Sequence, residues 1–279
     1  MNKVMTIGFS ALMAAGVVSA QDDMVVTGMA PATQAEPEVT AQADLMSSYV
    51  WRGQVYNNDV VFQPQITVAQ YDVSFNVWAN YDLAGSSAFG VSDDISELDL
   101  SVAYTLPIDI NELAFDVGAI YYSFPNSGVA SGTAAVPSTI ELFIRATVTS
   151  FADLEIPVIP SVTLFGDVDE VNGTYTLFDV QVPYDISDVL ATTFGVSAGY
   201  GNTSYNDYYF QNGVPSTQNA GFNDYNFYAL GSYEIAENLT ALASVTYTFL
   251  EGGSIRNAAG NIYDSDEKLW GGIGIAYDF

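Results

Sequence analysis

Eight charged side chains stand where a polar wall could act on a solute: Arg52, Glu97, Asp99, Asp116, Glu141, Arg145, Asp179 and Asp224. Each falls on the polar side of a segment whose other side is apolar, and Asp44, Asp82 and Asp167 share that placement. Carboxylates facing two guanidinium groups would set up a field that attracts small cations or zwitterions, as rings of Asp and Glu do in pores. The plainer reading of the same pattern is that Arg52 and Arg145 pair with neighbouring carboxylates and brace the protein. Covalent and acid–base chemistry is poorly served. The chain has no histidine and no cysteine, which removes the commonest general base, thiolate nucleophiles and zinc–thiolate sites. Carboxylate pairs alone show no spacing that singles out an acid and a base, so no catalytic residue and no enzyme activity is expected. "DVDEVNG" and "DSDE" resemble pieces of calcium loops but lack the full ligand spacing and the closing Glu, so neither a metal nor a cofactor is expected.

The segments that must carry these side chains have a period of two. In "VSFNVWANYDL", Val73, Phe75, Val77, Ala79, Tyr81 and Leu83 share one side, and Ser74, Asn76, Trp78, Asn80 and Asp82 the other. About twelve such runs follow one another from residue 43 to Phe279, most of them about 10 to 12 residues long, the length that crosses a bilayer as a tilted strand. Short connections such as "QYD" and "IAEN" alternate with long ones such as "AGSSAFGVSDDIS" and "EGGSIRNAAGNIYDSD". Short turns on one rim and long loops on the other are the asymmetry of a closed antiparallel transmembrane barrel, with periplasmic turns and extracellular loops. Aromatic residues on the apolar side fall near the strand ends. Tyr49, Trp51, Tyr81, Tyr121 and Tyr200 are expected in the outer membrane-interface belt, and Tyr104, Tyr184, Tyr233 and Tyr277 in the periplasmic one.

Two features strain this reading. Pro64 and Pro160 fall inside strands, where proline cannot donate to the ladder, so bulges or breaks are expected there. Trp78, Ile120, Phe143, Phe165 and Leu177 fall on the inward side. Either the lumen is partly filled or a strand is out of phase.

Composition fits export to an envelope. With 33 acidic and 5 basic residues the formal charge is -28, which excludes a nucleic-acid partner. "MNKVMTIGFSALMAAGVVSA" has the cation, apolar run and small residues of a signal peptide over residues 1–20. Residues 21–42, rich in Ala, Thr, Pro and acids, are expected to be a disordered periplasmic linker. Within it "DDMVVTG", Asp22 to Gly28, resembles the TonB box of outer-membrane transporters, although the chain has no room for their plug domain and larger barrel. The alternating C-terminal strand ending in Phe279 resembles the signal read by the bacterial barrel-assembly machinery.

"SSYVWRGQVYNNDVVFQPQITVA" and "GYGNTSYNDYYF" resemble segments of the TorF-type porin family. The matching residues are Trp51, Arg52 and Gly53, at the end of a first strand followed by a short polar loop, then Gln63, Pro64 and Gln65 in a second strand. The resemblance implies a bacterial outer-membrane barrel more firmly than any substrate. The expected partners are outer-membrane lipid, the barrel-assembly machinery and small ions or solutes. Two functions follow: a narrow passive channel that favours cations, or a closed barrel that acts through its long outer loops.

Overall fold

In lipid every backbone N–H and C=O must find a partner within the protein, so a spanning sheet has to close on itself. This one does. A computed structural model describes residues 36–84, 87–108, 110, 112–128, 135–149, 157–211, 218–263 and 265–279. Residues 1–35, with the signal-peptide and TonB-box-like segments, lie outside them.

Twelve antiparallel strands form the barrel: β1 (Glu38–Met46), β4 (Val61–Gln70), β5 (Val73–Asp82), β6 (Ile95–Thr105), β7 (Leu113–Ser123), β8 (Thr139–Val148), β9 (Ile159–Asp167), β10 (Thr174–Ser187), β11 (Leu190–Gly201), β12 (Gly221–Ala236), β13 (Leu239–Leu250) and β14 (Glu267–Asp278). β1 pairs with β14 from Thr40↔Asp278 to Met46↔Gly272 and closes the ring. The first strand starts at Glu38, so residues 38–42 belong to the barrel and not to the linker. They are held because the C-terminal strand needs a partner: the Phe279 N–H donates to the Val39 carbonyl at 2.9 Å.

Strand phase puts the apolar side outward. Ile66, Phe75, Leu142, Ile144, Phe194, Phe227 and Ile273 are all exposed on the outside of the sheet. Charge placed there meets hydrocarbon. Ile144→Arg should therefore cost about 2–4 kcal/mol if it sits near the bilayer midplane. Urea unfolding from lipid vesicles would measure this, with the lumen-facing Ser197→Lys as a control that loses far less.

The prolines interrupt pairing without shifting register. β4 and β5 pair at Phe62↔Tyr81 and resume in phase at Gln65↔Trp78, leaving Gln63 and Pro64 unpaired on that side. Pro160 lies beyond the last β8–β9 pair, Thr147↔Ser161, so its missing N–H costs no bond to β8. On the rim, Asn172 has φ 51°, and the Asp167 carboxylate accepts from the backbone N–H groups of Asp169, Val171 and Asn172 at 2.8–3.1 Å. That carboxylate closes the loop between β9 and β10.

Two strands do not join the wall. β2 (Tyr49–Trp51) and β3 (Gln54–Asn57) pair only with each other, and every residue in them is buried. The chain leaves β1 after Met46, folds back into the lumen as this hairpin, and returns to the rim at β4. Tyr49 and Trp51 are 0% and 4% exposed, so they are not membrane-interface residues but parts of an internal plug. Among the described residues two helices, α1 (Thr203–Tyr209) and α2 (Gly253–Ile262), come from the outer loops.

Candidate functional site

The hairpin tip explains the site. Trp51-Arg52-Gly53-Gln54 reverses direction in two residues, with φ 47° at Arg52 and 80° at Gly53. Positive φ at both positions is the hairpin turn that matches strand twist, and glycine is its usual second residue. Gly53 has a further reason: a Cβ there would lie 2.4 Å from Leu250 Cδ2 and 2.8 Å from Asp224 Cβ. The turn therefore seats against β12 and β13 and drives the Arg52 side chain toward the opposite wall.

There the guanidinium forks onto Glu141, Nη1 to Oε1 at 2.9 Å and Nη2 to Oε2 at 2.8 Å. The Tyr122 hydroxyl donates to Oε2 of the same carboxylate at 2.8 Å. Arg52 Cζ lies 4.5 Å from the centre of the Trp51 ring, 4.4 Å from Phe165, 4.3 Å from Tyr175 and 5.8 Å from Tyr205. The side chain has no exposure, and that of Glu141 is 2% exposed. A planar cation between rings, forked on a carboxylate, is the arrangement in which arginine binds best and lysine does not substitute.

The rest of the plug is mainly aromatic. Trp51, Tyr56, Phe89, Phe124, Tyr209 and Tyr263 make a chain of ring contacts that links the hairpin to the 87–91 loop, α1 and the end of α2. Gln54 Oε1 accepts from the hydroxyls of Tyr56 at 3.0 Å and Tyr263 at 2.6 Å. Burial pushes the phenol pKa values of Tyr56, Tyr209 and Tyr263 up, so all three stay neutral, and Tyr56 and Tyr263 serve as hydrogen-bond donors. At the other end of the hairpin, Asn57 Nδ2 donates to Asp82 Oδ1 at 2.7 Å.

Of the eight charged side chains picked out by sequence, all are buried on the inner side of the sheet or in the plug. They do not form one ring. Glu97 accepts from Tyr49 at 2.7 Å and Glu141 holds Arg52, so these two anchor the hairpin. Asp224 accepts from Tyr175 at 3.0 Å, and Asp179 from Tyr228 at 2.6 Å. Both tyrosines cross a glycine to get there. A Cβ on Gly199 would lie 2.0 Å from the Tyr175 hydroxyl, and one on Gly195 2.0 Å from the Tyr228 ring. Glycine on β11 opens the groove in which each ring lies flat. Asp99 is fully buried on β6.

Arg145 faces Asp116 across the β7–β8 pair, and its Nε donates to Thr163 at 3.1 Å. Asp116 also accepts from Thr105 at 2.7 Å. This second guanidinium lies lower on the wall, among Thr147, Ser161 and Thr163 of β8 and β9. Asp44 lies on β1, five strands from β8 one way round the ring and seven the other, so the two face each other across the lumen.

The inward apolar residues Trp78, Ile120, Phe143, Phe165 and Leu177 are 3%, 1%, 5%, 0% and 7% exposed. The lumen is filled there, and the strands are in phase. Tyr81, Tyr104, Tyr121, Tyr184, Tyr200, Tyr233 and Tyr277 lie on the outward side, none of them buried. Phe279 is 78% exposed. Sequence reasoning passed over Gln54, Tyr56, Tyr122 and Tyr263. For Gln54 and Tyr56 the signal was the run from Tyr49 to Asn57, which has too few polar residues for an exposed loop; Tyr122 and Tyr263 lie outside that run and nothing near them in sequence marks them. Among the described residues no group of three or more Asp or Glu is placed to hold a metal ion.

Solved structures similar to this chain include two porins and an outer membrane channel. The KdgM porin, in complex with disordered oligogalacturonate, superposes with TM-score 0.50 at 9% identity, over 87% of this chain and 99% of that one. The NanC porin gives 0.49 at 10% identity, over 86% and 100%. An outer membrane channel from Pseudomonas putida F1 gives 0.48 at 8%, over 87% and 94%. At 9% identity the likeness to the KdgM porin is one of fold alone. No curated protein matches the sequence. A family model does, from residue 39 at the start of the first strand to the terminal phenylalanine at 279, and covers the whole barrel with its plug: the chain belongs to the family of MltA-interacting protein MipA.

Proposed function

We propose that the protein is a narrow outer-membrane channel held shut at its outer mouth by the inward hairpin. The observation that carries this reading is the seating of Tyr49–Asn57 inside the barrel, with Arg52 locked on Glu141. Beneath the plug the wall is lined by small and polar side chains such as Gln65, Thr67, Asn76, Ser101 and Thr193, a surface suited to water and small polar solutes. Twelve strands lie between barrels filled by side chains and those with a broad aqueous pore, so only small solutes would pass. Withdrawal of the hairpin removes Arg52 and leaves Arg145 facing an acidic wall, which favours cations. The TorF-type likeness of Trp51-Arg52-Gly53 supports the same channel reading. The absence of histidine and cysteine supports a role without enzyme chemistry. Outer-membrane lipid at the aromatic belts, and the barrel-assembly machinery reading Phe279, are the partners that go with it.

Conductance in planar bilayers tests this. Native protein should be closed most of the time. A variant with residues 48–58 replaced by a short Gly-Ser bridge should give discrete steps, with a reversal potential in a KCl gradient of the sign for potassium over chloride. A silent variant, or native protein as conductive as the variant, contradicts the proposal. The family's name supports a second reading, a closed barrel that binds MltA. Co-purification with MltA by a barrel silent in both forms would favour it.

A further inference from the structure

The pocket that holds Arg52 is built mostly by the wall. Glu141 comes from β8, Phe165 from β9 and Tyr175 from β10, three neighbouring strands, and Tyr205 comes from α1. Of the five groups named around the guanidinium, Trp51 is the one that travels with the hairpin. If the hairpin leaves, a carboxylate and three rings stay in place, with Tyr122 still bonded to Glu141 and Tyr175 to Asp224. These bonds fix the orientations of the Glu141 carboxylate and the Tyr175 ring independently of Arg52, whereas the Tyr205 hydroxyl also accepts from Gln54 of the hairpin at 3.5 Å.

We propose that this pocket is a receptor site for small guanidinium solutes, which Arg52 fills from within the chain, and that such solutes compete with the hairpin tip and release it. The chemistry favours this class. The carboxylate accepts through both oxygens, which matches the fork of a guanidinium and wastes the point charge of an ammonium. Rings at 4.3 and 4.4 Å stack on a planar cation. The formal charge of -28 concentrates cations at the protein. A solute binds only the fraction of molecules whose hairpin is out, so its apparent affinity is reduced by that fraction. A tethered competitor on a short linker acts at an effective concentration of about millimolar or above, so the solute must be weak on native protein and strong once Arg52 is gone.

This inference rests on the plug reading, and chemical rescue tests it separately. In detergent-solubilised Arg52→Ala protein, millimolar methylguanidinium should raise the thermal midpoint saturably, with a half-saturating concentration at least tenfold below any effect on native protein. Methylammonium should give a much smaller shift. The Arg52→Ala/Glu141→Gln double variant should give none. No shift in Arg52→Ala, or the same shift in the double variant, overturns the site. Should Arg52→Ala fail to fold, Arg52→Lys keeps the charge but not the fork. There methylguanidinium should make the hairpin cleavable by protease, and continued resistance would overturn the site. A bridge variant that conducts while Arg52→Ala is not rescued defeats the receptor site alone. Rescue in a protein whose bridge variant is silent defeats the channel alone.

Discussion

Replacing Glu141 by alanine is expected to free the hairpin. An arginine left buried without its partner costs about 3–5 kcal/mol, far more than the net worth of the pair itself. Arg52 can escape that cost, because it stands on a hairpin that pairs with no wall strand. The cheaper outcome is that the tip leaves the lumen and takes its charge to water. The expense is then bounded by the docking free energy of the plug, and the barrel ladder stays intact. Heat stability of the sheet should fall little, while protease should cut between residues 47 and 58. Replacing both partners with apolar residues of similar volume, Arg52→Met with Glu141→Leu, should restore protection, since buried pairs exchange for packed hydrocarbon at little or no loss. A double variant as cleavable as Glu141→Ala would show that packing, not the unpaired charge, decides.

The second large effect belongs to Gly53. Valine there meets two obstacles: a β-branched residue at φ 80°, and a Cβ 2.4 Å from Leu250. Backbone strain of this kind costs about 1–3 kcal/mol before the clash is counted. Leu250 is 1% exposed and packed at the end of β13, so it has little room to yield. Gly53→Val should therefore unseat the tip and produce the open phenotype of Glu141→Ala with the ion-pair residues unchanged. Limited proteolysis and bilayer recording would measure it; a variant as closed and resistant as native protein would contradict the seating of the turn.

Most of the wall was legible in the sequence because period two is imposed by lipid on one side and water on the other. Phe75, Val77 and Tyr81 could only face outward once Ser74, Asn76 and Asn80 faced in. The inward placement of Phe143 and Phe165 was also visible, although their purpose was not. The plug was hidden by an accident of phase. Ala43 and Leu45 face lipid, and Tyr49 and Trp51 continue the same odd-numbered count, so one strand seemed to run to the tip. The break lies at Ser47 and Ser48, where the chain leaves β1: the Ser47 N–H donates to the Gly271 carbonyl at 2.9 Å, and Ser48 is already fully buried. The residues that follow are expected to form a short polar loop, yet Val55 and Tyr56 are buried with Gln54 and Asn57. Period cannot separate a strand that faces lipid from one enclosed by other strands, because both present apolar residues to a dry surface. The partners of Arg52 were equally hidden, since 89 residues separate it from Glu141.

The seating of the hairpin can be read directly at Val50, which is 1% exposed at the heart of β2. The chain contains no cysteine, so Val50→Cys would carry its one thiol there. In intact cells a membrane-impermeant maleimide should leave that thiol unlabelled, and adding Glu141→Ala should make it react. Rapid labelling of Val50→Cys with Glu141 in place would contradict a plug folded into the lumen.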